Sequence, residues 1–445
     1  MFKKLLFTII VAIPALLFAQ GDWKPLFNGK DLSGWVQRNG KASYQVKNGM
    51  IVGTTVSNEP NSFLCTEKDY GDFVLELELF ADSTMNSGVQ FRSESKPDYQ
   101  NGRVHGYQAE VDPSPRAWSG GIYDEGRRLW LYTMDFNPTS KKAFKNGQWN
   151  KYRIECIGNH IRTWVNDVPT AHLIDDLTPK GFIALQVHSI PKTQSPGQQI
   201  MWRNIRIKTT NLKPTYTNPI YVVNLLPNQL SEAEKNIGVN MLWDGTSTKG
   251  WRGANKATFP EQGWQMENGV LSVLKSSDNT NRGGDIVTEE KYDAFELQFD
   301  FRLTEGANSG VKYFVSEDGK SALGLEYQIL DDARHPDAKM GTDGNRTIAS
   351  LYDLIPAIRN GQAVRKIGEW NRAMIRVTKD NRIEHYLNGY KVVEYQRNNQ
   401  MFTALIARSK YAVNPGFGTS KEGFILLQDH GDRVDFRSIK IRKLK

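Results

Sequence analysis

Two short alternating stretches carry the residues best suited to chemistry. Read as a strand, Tyr107-Gln-Ala-Glu-Val-Asp112 sets Gln108, Glu110 and Asp112 on one face and Tyr107, Ala109 and Val111 on the other. Leu325-Glu-Tyr-Gln-Ile-Leu330 likewise sets Glu326 beside Gln328. Each stretch presents a carboxylate and an amide two residues apart, in swapped order. The neighbouring Val89-Gln-Phe-Arg92 turns Gln90 and Arg92 to one side, while Gln186-Val-His188 and Gln428-Asp-His430 put an amide and an imidazole on a common face. Of the seven histidines, only His188 and His430 fall at matching places in the two halves. A neutral imidazole is a natural base near physiological pH. Amides and carboxylates suit vicinal hydroxyls, and Trp118, with Tyr107, Trp130 and Tyr132, offers flat faces for the C–H side of a sugar ring, although such side chains more often pack in cores. The aspartates of Ile122-Tyr-Asp124 and Leu351-Tyr-Asp353 recur as well. Two readings of this face stand: the solvated side of a sandwich, usually rich in Lys and Ser, or a concave sugar-binding surface. The recurrence of amides, carboxylates, Arg92 and Trp118 favours the second.

The elements that position these groups occur twice. Pro25-Leu-Phe-Asn-Gly-Lys-Asp-Leu-Ser-Gly-Trp35 returns as Met241-Leu-Trp-Asp-Gly-Thr-Ser-Thr-Lys-Gly-Trp251, an offset of 216. Asn48-Gly49, Asn86-Ser-Gly-Val89, Gly147-Gln-Trp-Asn150 and Gly181-Phe-Ile-Ala-Leu-Gln186 then recur in the same order at offsets of 220, 222, 221 and 242. So long a period describes two complete domains rather than a solenoid, at residues 21–210 and 238–445. The intervening 211–237 contains Pro214, Pro219 and Pro227, then Ser231-Glu-Ala-Glu234 with capping-box spacing, which predicts a linker with one short helix. Within each copy the period is two. Phe73, Leu75, Leu77 and Leu79 alternate with Val74, Glu76 and Glu78, and Phe295, Leu297, Phe299 and Phe301 with Glu296, Gln298 and Asp300. Asn48-Gly49, Asn268-Gly269 and Asn388-Gly389 sit where two-residue hairpin turns need positive φ. Long helical periodicity is absent, so the expectation is all-β: two antiparallel sandwiches or jelly rolls in tandem.

The 445 residues are 39% hydrophobic and 24% charged, which excludes a disordered or polytopic membrane chain. The net charge of +8 is spread without a dense basic block, so no nucleic-acid partner is expected. Lys3 and Lys4, the apolar Leu5 to Leu17 and the small Ala19 read as a secretory leader over 1–20, with no lipid-accepting cysteine near the cut and no later membrane span. The mature chain is expected in the periplasm or outside the cell. Cys65 and Cys156 correspond to Val287 and Val377 and read as buried free thiols, with a disulfide the alternative. Zinc motifs, a Walker loop, a nucleophile elbow and a dinucleotide fingerprint are all missing from the sequence.

Taken together, the Leu26-Phe-Asn-Gly-Lys-Asp-Leu-Ser-Gly-Trp35 and Leu242-Trp-Asp-Gly openings, the Asn-Ser-Gly turns and the Trp-Asn strand starts resemble the 3-keto-disaccharide hydrolase domain. So do Gly324-Leu-Glu-Tyr-Gln-Ile-Leu-Asp-Asp332 with the following Arg334-His-Pro-Asp-Ala338, and the Leu-Gln endings of both copies. This domain is related to concanavalin A-like, family 16 glycoside hydrolases. The resemblance implies a concanavalin A-like jelly roll and action on glycosides or disaccharides already oxidised at carbon 3 by a sugar 3-dehydrogenase. A C3 ketone acidifies the C2 proton, so one base can form an enolate that expels the C1 substituent, with a lyase or hydrolase outcome according to whether water then adds. His188 and His430 are the candidate bases. Glu110 and Glu326, with Gln108, Gln328, Asp124, Asp353, Gln186, Gln428 and Trp118, would hold sugar or a divalent metal. Arg92 would stabilise the enolate in the first copy; its counterpart is Phe314, where Arg334, His335 or Arg346 could serve. The alternatives are a non-catalytic tandem sugar-binding protein and a family 16-like glucanase, the latter lacking its Glu-x-Asp-x-x-Glu strand here.

Overall fold

The computed structural model describes residues 22–82, 84–215, 220–276, 282–359 and 363–444. The segment read as a leader therefore lies outside the described residues. The protein is all-β, two β-sandwiches in tandem, each made of two sheets that are antiparallel except where Val223–Asn224 joins the edge of the first. In the first, the back sheet centres on Phe73–Ala81, flanked by Asn150–Ile157 and Gln199–Lys208. In the second, Phe295–Leu303 lies between Trp370–Val377 and Val434–Lys443. The alternation explains both strands. Phe73, Leu75, Leu77 and Leu79, and Phe295, Leu297, Phe299 and Phe301, all point into the cores at 0–1% exposure. Burial of this kind contributes about 1.5–3 kcal/mol per side chain. The intervening acids turn outward into arginine pairs, Glu76 with Arg153 and Arg206, Glu296 with Arg376 and Arg442.

The front sheets carry the candidate site. The first runs in the order Leu129–Tyr132, Ile122–Glu125, His105–Val111, Ser87–Glu94, Gly181–Val187, Ser62–Tyr70, Trp35–Asn39. The second runs Trp251–Gly253, Ile286–Thr288, Phe424–Leu427, Asn308–Glu317, Ala322–Leu330. Gly88 pairs with Glu110 and Gly310 with Gln328, which makes Gln108 equivalent to Glu326, Glu110 to Gln328 and Gln90 to Lys312. The three Asn-Gly pairs all turn through positive φ, at 51° and 73° for Asn48-Gly49. Both cysteines are free and buried, in different sheets.

Between the sandwiches, Val223–Asn224 pairs in parallel with Val168–Ile174, and Ser231 caps the helix Glu232–Asn236 reciprocally with Glu234. The two sandwiches share an aromatic seam. Trp118, Trp130 and Met134 of the first join the hydrophobic core of the second, Trp118 meets Tyr390 at 5.4 Å between ring centres, and Phe136 stacks on Tyr386 at 5.6 Å.

Candidate active site

The Asn-Ser-Gly turn builds the same perch in each front sheet. Ser87 Oγ donates to the Gln186 carbonyl at 2.7 Å and Ser309 Oγ to that of Gln428 at 2.8 Å, tying adjacent strands. The glycine leaves room for a side chain from the next strand: a methyl at Gly88 would stand 2.2 Å from Gln108, and one at Gly310 2.2 Å from Glu326 Oε1. A glycine is required here for close approach, not for its φ.

From this common frame the copies diverge. In the first, the face is a closed hydrogen-bonded chain: Asn86 and Gln108 donate to Glu110 at 2.7 and 2.9 Å, Gln90 donates to Gln108 at 2.7 Å, and Ser93 to Gln90. Gln90, Gln108, Glu110 and Gln186 are all at most 4% exposed. Burial pushes the Glu110 carboxyl up to about 7 against the pull of these donors. The connection after Ser87–Glu94 covers much of the face. Val104 packs on Phe63, Cys65, Phe182 and Ala184, while its N–H donates to Asn39 Oδ1 on the far edge strand. On the other side, Arg116 and Trp118 meet Tyr390 of the second domain, whose phenol is within electrostatic reach of Glu110. A cleft of about 480 Å³ remains, lined by Asn39, Asn61, Phe63, Arg103, Glu125 and Ser189. His188 stands beside it, with Nδ1 bonded to the Ser189 carbonyl at 2.7 Å.

In the second copy the matching connection is the short Asp318-to-Ser321 turn, and the face is charged. Glu326 is 4% exposed, and burial raises its carboxyl while Lys312 and Lys410 pull it down. Lys312 reaches Asp285 at 3.6 Å. Lys410 lies over the Tyr352 ring at 4.2 Å and is pushed below the ordinary lysine value by burial, against the attraction of Glu326. Burial thus moves an acid and an amine toward neutrality from opposite sides, a combination suited to proton transfer. Arg346 clamps Asp353 at 2.6 Å and Asp337 at 2.9 Å, and Asp353 also accepts the Lys410 backbone N–H at 2.8 Å.

At the rim, His335 and His430 meet edge to face at 5.9 Å, and His430 Nδ1 lies 3.9 Å from Asp432. The His430 side chain is 44% exposed, and partial desolvation, opposed by Asp432, lowers its pKa below the ordinary imidazole value. His335, His430 and Asp432 have ligand atoms within 4.8 Å of one another, the grouping among the described residues that could hold a metal ion. However, His335 Nδ1 accepts the Asp337 N–H at 3.2 Å, which places the proton of a neutral ring on Nε2. His335 presents a donor there, and a metal would have to break this cap to gain its lone pair.

Three expectations are corrected. Arg92 does not face the sugar side: the register shifts after Phe91, Arg92 takes φ 45°, and its guanidinium is buried against the Gly71 and Gly158 carbonyls at 2.9 Å and Asp72 at 3.0 Å. Phe314 occupies the same bulge at φ 53°. Asp124 pairs across with Tyr107, so both point inward, Asp124 to Arg127 and Arg128, Tyr107 to Asp175. Trp118 is packed into the domain seam, and Tyr132 into the first core, rather than lining an open groove. Gln328 and Gln186 are buried on the face, whereas Gln428 is half-buried. Sequence reasoning missed Lys312, Lys410, Tyr352 and Tyr411. The rise in offset from 221 to 242 was the signal for Lys410 and Tyr411. It marks an insertion containing the helix Gln400–Ala407 and the turn Lys410–Val413, which carries Lys410 and Tyr411 to Glu326.

A pair of β-sandwiches with polar front faces places the protein in the broad class of tandem β-sandwich proteins. More particularly, the chain belongs to the family of 3-keto-alpha-glucoside-1,2-lyase-like domains, which matches residues 22–208 and 238–442. It is 37% identical over 232 residues, 46% of this chain and 79% of the relative, to a 3-keto-disaccharide hydrolase of Bacteroides thetaiotaomicron. Among solved structures it is similar to a candidate glycosyl hydrolase from Parabacteroides distasonis, at 30% identity and TM-score 0.44, covering 49% of this chain and 100% of that one. It is also similar to the Bacillus subtilis carbohydrate-binding module CBM66, at 15% identity and TM-score 0.29, covering 39% and 94%.

Proposed function

We propose that the second copy cleaves 3-keto-glycosides, including 3-keto-disaccharides, by removing the C2 proton and expelling the C1 substituent. The observation that carries this reading is Glu326, buried on the front face with Lys312 and Lys410 within electrostatic reach, and the exposed His430 at its rim. Asp337 is within electrostatic reach of both Glu326 and His430, which supports their belonging to one site. In this reading His430 takes the C2 proton and the electron pair moves to the C3 oxygen, where Lys312 and Lys410 offset the enolate charge. As the enolate collapses, a C1–C2 double bond forms and the C1–O bond breaks. The departing oxygen takes a proton from Glu326, whose carboxyl burial pushes up toward its protonated form. Addition of water gives the hydrolase outcome, and release of the unsaturated ketone the lyase outcome.

The first copy, whose equivalent face is internally bonded and covered, serves as a sugar-holding and structural partner, with His188 and the adjoining cleft at its edge. Glu326 is the single carboxylate on the second site strand, and in the first copy Asp112 beside Glu110 is taken up by Arg116 and the Ser114 and Trp118 N–H groups, so neither strand supplies the paired acid and nucleophile of a glucanase. The substrate is the product of a sugar 3-dehydrogenase. The leader reading places the reaction in the periplasm or outside the cell; none of the described helices is long and apolar enough to cross a membrane. Incubation of the chain with a 3-keto-glucoside and with its unoxidised parent, followed by mass spectrometry, tests the proposal. Aglycone release from the keto form only is expected; release from the parent, or from neither, overturns it.

A further inference from the structure

Beside the aromatic seam lies a second cleft, about 350 Å³, the small end of the range for ligand sites. Arg128 and Trp130 line it from the first domain, and Asp300, Arg365, Glu369, Arg372 and Arg437 from the second. Its four guanidinium groups outnumber its two lining carboxylates, Asp300 and Glu369. Arg128 is held by Asp124 and Asp175, while Arg372 and Arg437 share the single carboxylate of Asp300 at 3.1 and 3.3 Å. Arg365 has no carboxylate within 4.0 Å among the described residues. Its guanidinium donates to the Trp130 carbonyl at 3.2 Å, across the domain boundary. Arg372 Nη1 is buried without a hydrogen-bond partner. A buried, unsatisfied N–H on a cation is costly unless something accepts from it. Burial, followed by repulsion from Arg128, lowers the Arg365 pKa against the attraction of Asp124 and Glu369.

We infer that this interdomain cleft binds a small oxyanion, monosaccharide-sized or smaller, whose oxygens take Arg365 and the free N–H of Arg372. The shared chemistry is a carboxylate or phosphate group matched to guanidinium forks. The site is separate from Glu326 and His430, and does not depend on the reaction assigned to them.

Calorimetric titration of the full chain with sodium glucuronate and, separately, sodium phosphate tests this, with glucose and sodium chloride at matched ionic strength as controls. One anion per chain is expected, with no heat from glucose and affinity at least about tenfold weaker in Arg365→Gln. Glucuronate alone binding assigns a sugar acid, and phosphate alone a phosphate ligand. Neither binding, or Arg365→Gln binding like the parent, overturns the inference. If the variant does not fold, phenylglyoxal labelling of the native chain decides. Arg365 shielded by the anion supports the site, and equal labelling with and without anion refutes it.

Discussion

Gly310→Ala separates the positioning of Glu326 from the stability of its domain. Gly310 lies outside the positive-φ glycines, so alanine fits the backbone. Its methyl, however, would stand 2.2 Å from Glu326 Oε1 and 2.9 Å from Cδ. Restoring ordinary contact moves the carboxyl by about 1 Å, a displacement that costs about 100-fold in rate when the group takes part in the chemical step. That is ~3 kcal/mol of transition-state stabilisation. The obstructing atom is the end of a flexible side chain, so folding should lose only about 1 kcal/mol. Gly88→Ala is the matched control. Its methyl would meet Gln108 Cδ at 2.2 Å, and Gln108 is held at both ends by Gln90 and Glu110. It should therefore cost about 2–3 kcal/mol of stability and leave turnover within about twofold. Initial rates on a 3-keto-glucoside with a chromogenic aglycone, paired with thermal melts, read both effects. Wild-type kcat in Gly310→Ala, or a hundredfold loss in Gly88→Ala without a lower Tm, would refute the assignment of chemistry to the second copy.

Further outcomes follow from the same contacts. Glu110 is raised from 4.5 to about 7 by burial, so the folded chain holds a proton that the unfolded chain releases between these values. That term is fully present below pH 4.5 and lost as pH rises through 7, about 3 kcal/mol in all; Glu110→Gln should flatten the fall in Tm from pH 5 to 8, and an unchanged pH slope would count against it. His430→Ala should lower kcat by about 10²- to 10⁴-fold with His188→Ala near wild type, and the reverse pattern would move the chemistry to the first copy. Arg92→Ala should destabilise by about 3 kcal/mol, through its lost bonds to Gly71, Gly158 and Asp72, without a change in kcat for the folded fraction. Urea unfolding and rates at saturating substrate separate the two readings of Arg92.

The sequence carried the strand faces but not how the strands register or what lies over them. Alternation alone placed Gln108 and Glu110, and Glu326 and Gln328, on their faces, because the period of two holds within an unbroken strand. It failed for Arg92, where the bulge after Phe91 adds a residue and reverses the alternation, and a sequence pattern does not display a bulge. Asp124 depends on pairing with Tyr107 across strands, a register set by tertiary packing. The closing of the first face by Val104 and the delivery of Lys410 to the second come from connections, which have no hydrophobic period. His335 lies far from His430 in sequence and meets it only through the fold.

The central claim is proton removal from C2 by the second copy, and transfer of label from a 3-keto-glucoside deuterated at C2 tests it most directly. The account predicts deuterium loss to solvent or a primary isotope effect on aglycone release, abolished in His430→Ala and retained in His188→Ala. Aglycone release at an unchanged rate with deuterium still on C2 would contradict it.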